Sequence, residues 1–213
     1  MRRSVARASF ITAMNLLVFT AIGTALLAWV YAQTKEPIAR SEIREKMKLV
    51  SQIALAGTYD NDIMKDTVRV APDELLGNDE PDIAYIGRLQ GKPAVAVIPA
   101  VAPDGYGGRI RLVIAVRNDG TIGGVRVVSH LETPGLGDYI EIAKSKWIDI
   151  FRGTSLLPGR DDDWQVKKDG GRFDYMTGAT ISPRAVVKAV HKVLQYFAMH
   201  RDELFRQDAG KDK

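Results

Sequence analysis

The chain has 213 residues, 46% hydrophobic and 26% charged, enough for one compact domain with an accessory segment and too apolar for wholesale disorder. It contains no cysteine, which excludes disulfide scaffolds, thiolate zinc and iron–sulfur sites, thioether-attached haem and cysteine nucleophiles; three histidines leave little for a His-rich metal site. The net charge of +4 comes from Arg2, Arg3, Arg7 and Lys35, which no acid accompanies within the first 35 residues, so the remainder is formally neutral and offers no basic face to nucleic acid.

Phe10 to Ala32 reads FITAMNLLVFTAIGTALLAWVYA, without a charge. As a helix it rises about 34 Å, enough to cross the hydrocarbon core. Trp29 and Tyr31 fall near one end, where amphipathic rings prefer the interface. The positive-inside rule keeps Arg2, Arg3 and Arg7 in the cytoplasm and puts the body outside it. The competing reading is a cleaved signal peptide ending at Val30-Tyr31-Ala32, but signal h-regions run only about 7–15 residues. A buried soluble helix would have to hide apolar residues on every side.

Residues 35–56 have helical spacing, with Ile38, Ile43, Met47, Val50 and Ile53-Ala54 recurring at three and four and Pro37 suited to a first turn. They predict a juxtamembrane helix leading into the domain. A polar stretch with Pro72, Gly77, Asn78 and Pro81 reads as irregular. Residues 83–89 and 94–102 read as strands around Gln90-Gly91-Lys92-Pro93. The clearest β signal is RIRLVIAV, then RNDG, then TIGGVRVV: Ile110, Leu112, Ile114 and Val116 alternate, Asp119-Gly120 suits a hairpin turn, and Gly123-Gly124 marks a bulge or a close backbone approach. Ile140, Ala143, Trp147 and Phe151 predict a helix over 139–151. A last helix is expected from about Pro183, with Ser182 as N-cap and Val186, Val187, Val190, Val193-Leu194 and Phe197 as its apolar stripe. With no internal repeat, the body reads as one α+β domain.

Three glycine clusters remain: Gly105-Tyr-Gly-Gly, His130-Leu-Glu-Thr-Pro-Gly-Leu-Gly137 and Asp174-Tyr-Met-Thr-Gly-Ala-Thr180. None has Walker or Rossmann spacing. The first suits a turn. In the second, His130 and Glu132 could serve metal ligation or acid–base chemistry, yet no third ligand or partner is placed by spacing; a loop wrapping a planar polar ring fits the residue types better. The third lies just before a helix, whose N-terminal N–H groups and dipole favour phosphate at Thr180; the plainer alternative is that Thr180 or Ser182 caps that helix. Lys167 and Lys168 precede this motif and suit a solvated face better than a phosphate contact. His191, His200, Trp147 and Phe151 suit packing or surface roles, and Arg160 to Asp163 a solvated loop.

Taken together, the N-terminal span, Asp104-Gly105-Tyr106-Gly107-Gly108, the hairpin, HLETPGLG at 130–137, Trp147, Phe151 and FDYMTGATISPRAVVKAV at 173–190 resemble the G subunit of the Rnf/Rsx electron-transport complex, an ion-translocating assembly of bacterial membranes. The C subunit of the sodium-translocating NADH:quinone reductase is a related alternative with the same flavin core. A non-redox membrane-tethered binding or assembly module is the alternative from another class.

The Rnf/Rsx resemblance implies an α+β chain in which a single transmembrane helix is followed by an FMN-binding domain, with a twisted, largely antiparallel sheet flanked by helices. It implies a cytoplasmic N-terminus over 1–9, the span over 10–32, a juxtamembrane helix over 33–60, a periplasmic FMN-binding domain over 61–202 and a polar tail over 203–213. By the same resemblance FMN is esterified through its phosphate to Thr180. Asp174, Thr177, Gly178 and Ala179 match the acceptor motif of a flavin transferase, and Glu132, Thr133, Gly135 and Leu136 would surround the ring. The implied role is an electron relay in the inner membrane, coupled to sodium or proton transport, with the other proteins of the complex as partners and no stand-alone catalysis.

Overall fold

A computed structural model of the chain describes residues 2–54 and 57–206, without the side chains of residues 2–6, 8 and 38–47. The chain divides into two units, Met1–Glu45 and Lys46–Lys213. One long helix, α1 (Arg2–Ile53), begins in the first and ends in the second. Pro37, expected in a first helical turn, lies inside α1, which continues past it. Proline removes one backbone donor, but the residues around it carry no glycine to stop the helix. Within α1, Ser9–Pro37 is long and apolar enough to cross a membrane and none of it is buried. Phe10, Leu17, Phe19, Leu27 and Trp29 are all exposed, the all-round apolar character of a helix that does not belong in water.

The second unit is built on five strands: β1 (Thr67–Val70), β2 (Asp82–Leu89), β3 (Lys92–Ala102), β4 (Ile110–Arg117) and β5 (Ile122–Ser129). They form an antiparallel meander in the order of the chain. The two strands expected over 83–89 and 94–102 are present, joined by Gln90-Gly91, both with positive φ, so Lys92 and Pro93 belong to the strand rather than the turn. β1 carries no sequence signal of its own; it is four residues long and follows a polar loop.

Both faces of the sheet are covered, which is why β3 reads AVAVIPAVA rather than alternating with polar residues. On one face Ala96, Ile98, Leu112, Ile114, Ile122 and Val125 join the main core, against α2 (Ile181–Leu204). On the other face Val95, Val97, Val113 and Ala115 pack against Val50, Ile53 and Ala54 at the end of α1. Ile38, Ile43 and Met47 of the predicted stripe lie outside the described side chains, as do residues 55 and 56. The tail expected over 203–213 lies outside the described residues from 207 onward.

The β4–β5 register slips at Ala115/Val116, leaving Gly123 as the extra residue of a bulge. The slip lets Ile122 and Val125, three apart, face the same core. A Cβ on Gly124 would stand 3.0 Å from Cγ2 of Ile53, so the glycine pair serves both as bulge and as the seat for α1. The helix expected over 139–151 is two 3-10 turns, Asp138–Ile140 and Lys146–Phe151. Ala143 is exposed and breaks the stripe, while the Ser145 side chain accepts the Trp147 N–H and starts the second turn.

Candidate functional site

The third glycine motif forms a tight turn directly before α2. The Ala179 N–H donates to the Met176 carbonyl at 3.0 Å, and Gly178 has φ of +92°, which a β-carbon would strain. α2 begins at Ile181, two residues ahead of Pro183, so the prediction of a start near Pro183 with a Ser182 cap is corrected. Thr180 holds the N-cap position with helical φ and ψ of −83° and −25°, and its hydroxyl makes no capping bond. Among the described residues the N–H groups of Ile181 and Ser182 also find no acceptor, leaving donors and the helix dipole open at this end.

The turn is held from the core. The buried Tyr139 hydroxyl accepts the Met176 N–H at 3.0 Å and lies 3.3 Å from the Ala179 carbonyl, to which it donates. Burial raises the Tyr139 phenol above its ordinary value, partly offset by the Met176 N–H. Trp147, edge-on to Tyr139 with centroids 5.5 Å apart, donates its indole N–H to the Asp174 carbonyl at 2.7 Å.

The second motif folds as a turn at Thr133-Pro134-Gly135-Leu136, whose Leu136 N–H donates to the Thr133 carbonyl at 3.1 Å. Asp138 accepts the Gly135 N–H at 2.8 Å. Nδ1 of His130 accepts the Glu132 N–H at 2.9 Å, so the neutral ring carries its proton on Nε2 and donates it to Glu141 at 2.7 Å. Glu132 is 4% exposed: Oε1 accepts the Gly107 N–H at 3.0 Å and Oε2 accepts the Ser182 hydroxyl. A Cβ on Gly107 would stand 1.9 Å from the Leu131 carbonyl, which is why this loop is glycine-rich. The first glycine cluster, the second and the start of α2 therefore meet around one buried carboxylate.

Thr177, Gly178 and Asp174 are exposed, Ala179 is buried and Thr180 is partly exposed. Asp174 pairs with Lys167 at 2.5 Å. Thr133, Gly135 and Leu136 are exposed, whereas Glu132 is engaged within the protein. Leu136 stands over the Met176–Ala179 turn, its Cδ1 3.9 Å from where a Gly178 Cβ would be. Sequence reasoning misses Tyr139 and Ser182 as members of this arrangement and gives Trp147 a packing role only. The one signal available for Tyr139 is its place directly after the second motif. Exposed Leu136, Met176 and Ile181 lie on the second loop, the turn and the helix start, giving apolar surface near the N-terminus of α2. A free hydroxyl, helix N–H groups without an intrahelical partner and exposed apolar side chains suit a phosphate-bearing planar ring, so the residues present fit FMN.

A family model described as FMN-binding domain matches residues 105–195, and a second, described as RnfG N-terminal region, matches residues 1–53. The G subunit of the ion-translocating oxidoreductase complex of Pseudomonas aeruginosa (strain UCBPP-PA14) is 44% identical over 203 residues, 95% of this chain and 93% of that protein. The protein of the same name from Aliivibrio fischeri (strain MJ11) is 40% identical over 193 residues, covering 91% and 92%. That of Vibrio cholerae serotype O1 (strain ATCC 39541) is 42% identical over 192 residues, covering 90% and 91%.

Proposed function

This chain belongs to the G-subunit family of ion-translocating oxidoreductase complexes, and from that premise we propose that its FMN is joined through phosphate to Oγ1 of Thr180, on the periplasmic side of the bacterial inner membrane. The chain is a membrane-anchored flavoprotein, one of several proteins in such a complex. The observation that carries the covalent reading is the uncommitted Thr180 hydroxyl at the N-terminus of the 24-residue helix α2.

A phosphodiester retains one negative charge, which the Ile181 and Ser182 N–H groups and the helix dipole favour. Thr177, Gly178 and Ala179 keep the approach to that hydroxyl small. Asp174 takes the part of the recognition residue for a flavin transferase. Thr133, Gly135 and Leu136 form the rim beside the ring, and Glu132 supports that rim from inside, since both its oxygens are engaged by Gly107 and Ser182. Bound FMN supplies one- or two-electron chemistry, and the chain supplies attachment, orientation and electrostatics. The relay of electrons is coupled to ion transport by the assembly as a whole. Arg2, Arg3 and Arg7 ahead of the span support the cytoplasmic N-terminus and the periplasmic body.

The N-terminal match and the names of the relatives favour the Rnf-type assignment over the quinone-reductase alternative. An assembly module in which Thr180 or Ser182 caps α2 finds no support in a Thr180 that makes no cap bond. The test is intact mass and peptide mapping of the full chain expressed with a flavin transferase. A gain of FMN less one water on the Thr180 peptide, lost in Thr180→Val, is expected. An unmodified wild type, or flavin retained covalently by Thr180→Val, overturns the reading.

A further inference from the structure

We propose that Tyr139 is a positioning residue for the modification of Thr180, an inference that rests on the Thr180 reading above. Its buried hydroxyl meets both ends of the Met176–Ala179 turn, taking the Met176 N–H at 3.0 Å and giving its proton to the Ala179 carbonyl at 3.3 Å. The Ala179 carbonyl and the Thr180 N–H belong to one planar peptide unit, so fixing that carbonyl fixes the plane from which Thr180 departs. No side-chain bond orients Thr180 itself. Tyr139 therefore helps to fix the backbone from which the Thr180 Cα–Cβ bond departs, and Oγ1 takes one of the few staggered positions open to a β-branched side chain.

A second anchor acts on the same loop. The Trp147 indole N–H holds the Asp174 carbonyl at 2.7 Å, and Trp147 packs edge-on against the Tyr139 ring. The two aromatic residues thus pin the start and the end of Asp174–Ala179 from beneath, leaving its outer side open. Thr177 is also exposed on this turn, so exposure alone does not single out Thr180; its place at the N-terminus of α2, directly after the carbonyl that Tyr139 holds, does.

An ester between a free phosphate and an alcohol is unfavourable in water, so the donor is a flavin phosphoanhydride such as flavin adenine dinucleotide. In the transfer, Oγ1 of Thr180 forms a bond to the flavin-side phosphorus and the anhydride P–O bond breaks. AMP leaves with that electron pair, and the hydroxyl proton passes to the transferase or solvent; nothing is oxidised or reduced.

The experiment follows covalent incorporation in the full chain, in detergent, with a flavin transferase and flavin adenine dinucleotide, reading initial rates by intact mass as a function of acceptor concentration. Tyr139→Phe removes one oxygen and keeps the ring; we expect its kcat to fall by at least about tenfold, with KM changed less. Tyr196→Phe, another buried phenol that does not touch the turn, should react like wild type. A Tyr139→Phe rate within about twofold of wild type, or an equal loss in Tyr196→Phe, overturns the proposal. Should Tyr139→Phe not fold, Trp147→Phe deletes the other anchor, and an unchanged rate there overturns it in the same way. A wild type that takes up no flavin overturns the Thr180 reading and this proposal with it, whereas a modified wild type with an equally fast Tyr139→Phe overturns this proposal alone.

Discussion

Glu132 and Ser182, 50 residues apart in sequence, share a hydrogen bond inside the protein, the serine hydroxyl donating to a carboxylate that is 4% exposed. The other carboxylate oxygen takes the Gly107 N–H, so one side chain ties the first glycine loop, the second and the start of α2 together. A buried acceptor with two donors is costly to remove, because both donors are left without partners. Glu132→Ala should cost about 2–4 kcal/mol in urea unfolding of the body. Glu132→Gln should cost less, because its amide oxygen still accepts the Gly107 N–H and the serine hydroxyl can turn to accept from the amide. In a double-mutant cycle with Ser182→Ala the coupling should be about 1 kcal/mol or more; additive effects would show that the two do not act as a pair.

Gly107 tests the same junction by steric means. A Cβ there would collide with the Leu131 carbonyl at 1.9 Å, and backbone cannot move as a side-chain tip can. Gly107→Ala should cost about 1–3 kcal/mol and displace the 130–137 loop, lowering flavin content when the chain is matured with a transferase. Gly91→Ala, at a hairpin tip with open space around it, keeps the backbone strain of a positive φ but should leave flavin content alone. Equal flavin content in the two variants would mean that the first glycine loop does not shape the site.

Much of this architecture is legible in the sequence because periodicity and turn chemistry agree. The β4–β5 hairpin and its bulge follow from alternating Ile110, Leu112, Ile114 and Val116 and from the Gly123-Gly124 pair. The 139–151 segment misleads because Ile140, Trp147 and Phe151 share a helical spacing, while the 3-10 turns that actually place them are set by local capping at Ser145 and by burial of the rings. Thr180 stands out through its motif. Tyr139 does not, since its contribution is a hydroxyl aimed at backbone atoms 37 and 40 residues away, and spacing carries no trace of such a contact.

Arg126 offers a test of how the end of α1 is joined to the sheet. It is 5% exposed, pairs with Asp149 at 2.9 Å and the Val125 carbonyl at 2.7 Å, and reaches Gln52 at 3.4 Å. Asp149 is about a third exposed, so solvent screens the pair and its worth falls below that of a fully buried one. Asp149→Ala should cost about 1–3 kcal/mol, chiefly by leaving a buried guanidinium short of a partner. Arg126→Met with Asp149→Ala should recover part of that loss, since an apolar side chain needs no partner. A double variant less stable than Asp149→Ala alone would show that the Val125 and Gln52 contacts matter more.

The Tyr139 hydroxyl also makes stability sensitive to alkali in a definite direction. Burial raises its pKa above the ordinary 10.0, so the folded chain keeps a proton that the unfolded chain has already shed. Unfolding then releases a proton, and stability falls as pH rises past about 10 while staying flat below it on this account. The phenolate could no longer donate to the Ala179 carbonyl, so the Met176–Ala179 turn loosens together with the core. Tyr196 is raised as well, by burial first and then by Glu203 and Asp73, and it adds to the slope. Tyr139→Phe should therefore flatten part of the decline in urea midpoint between about pH 9 and 11, and Tyr139→Phe with Tyr196→Phe more of it. An alkaline slope untouched by either change would assign the decline to other groups and leave the Tyr139 hydroxyl with a geometric role alone.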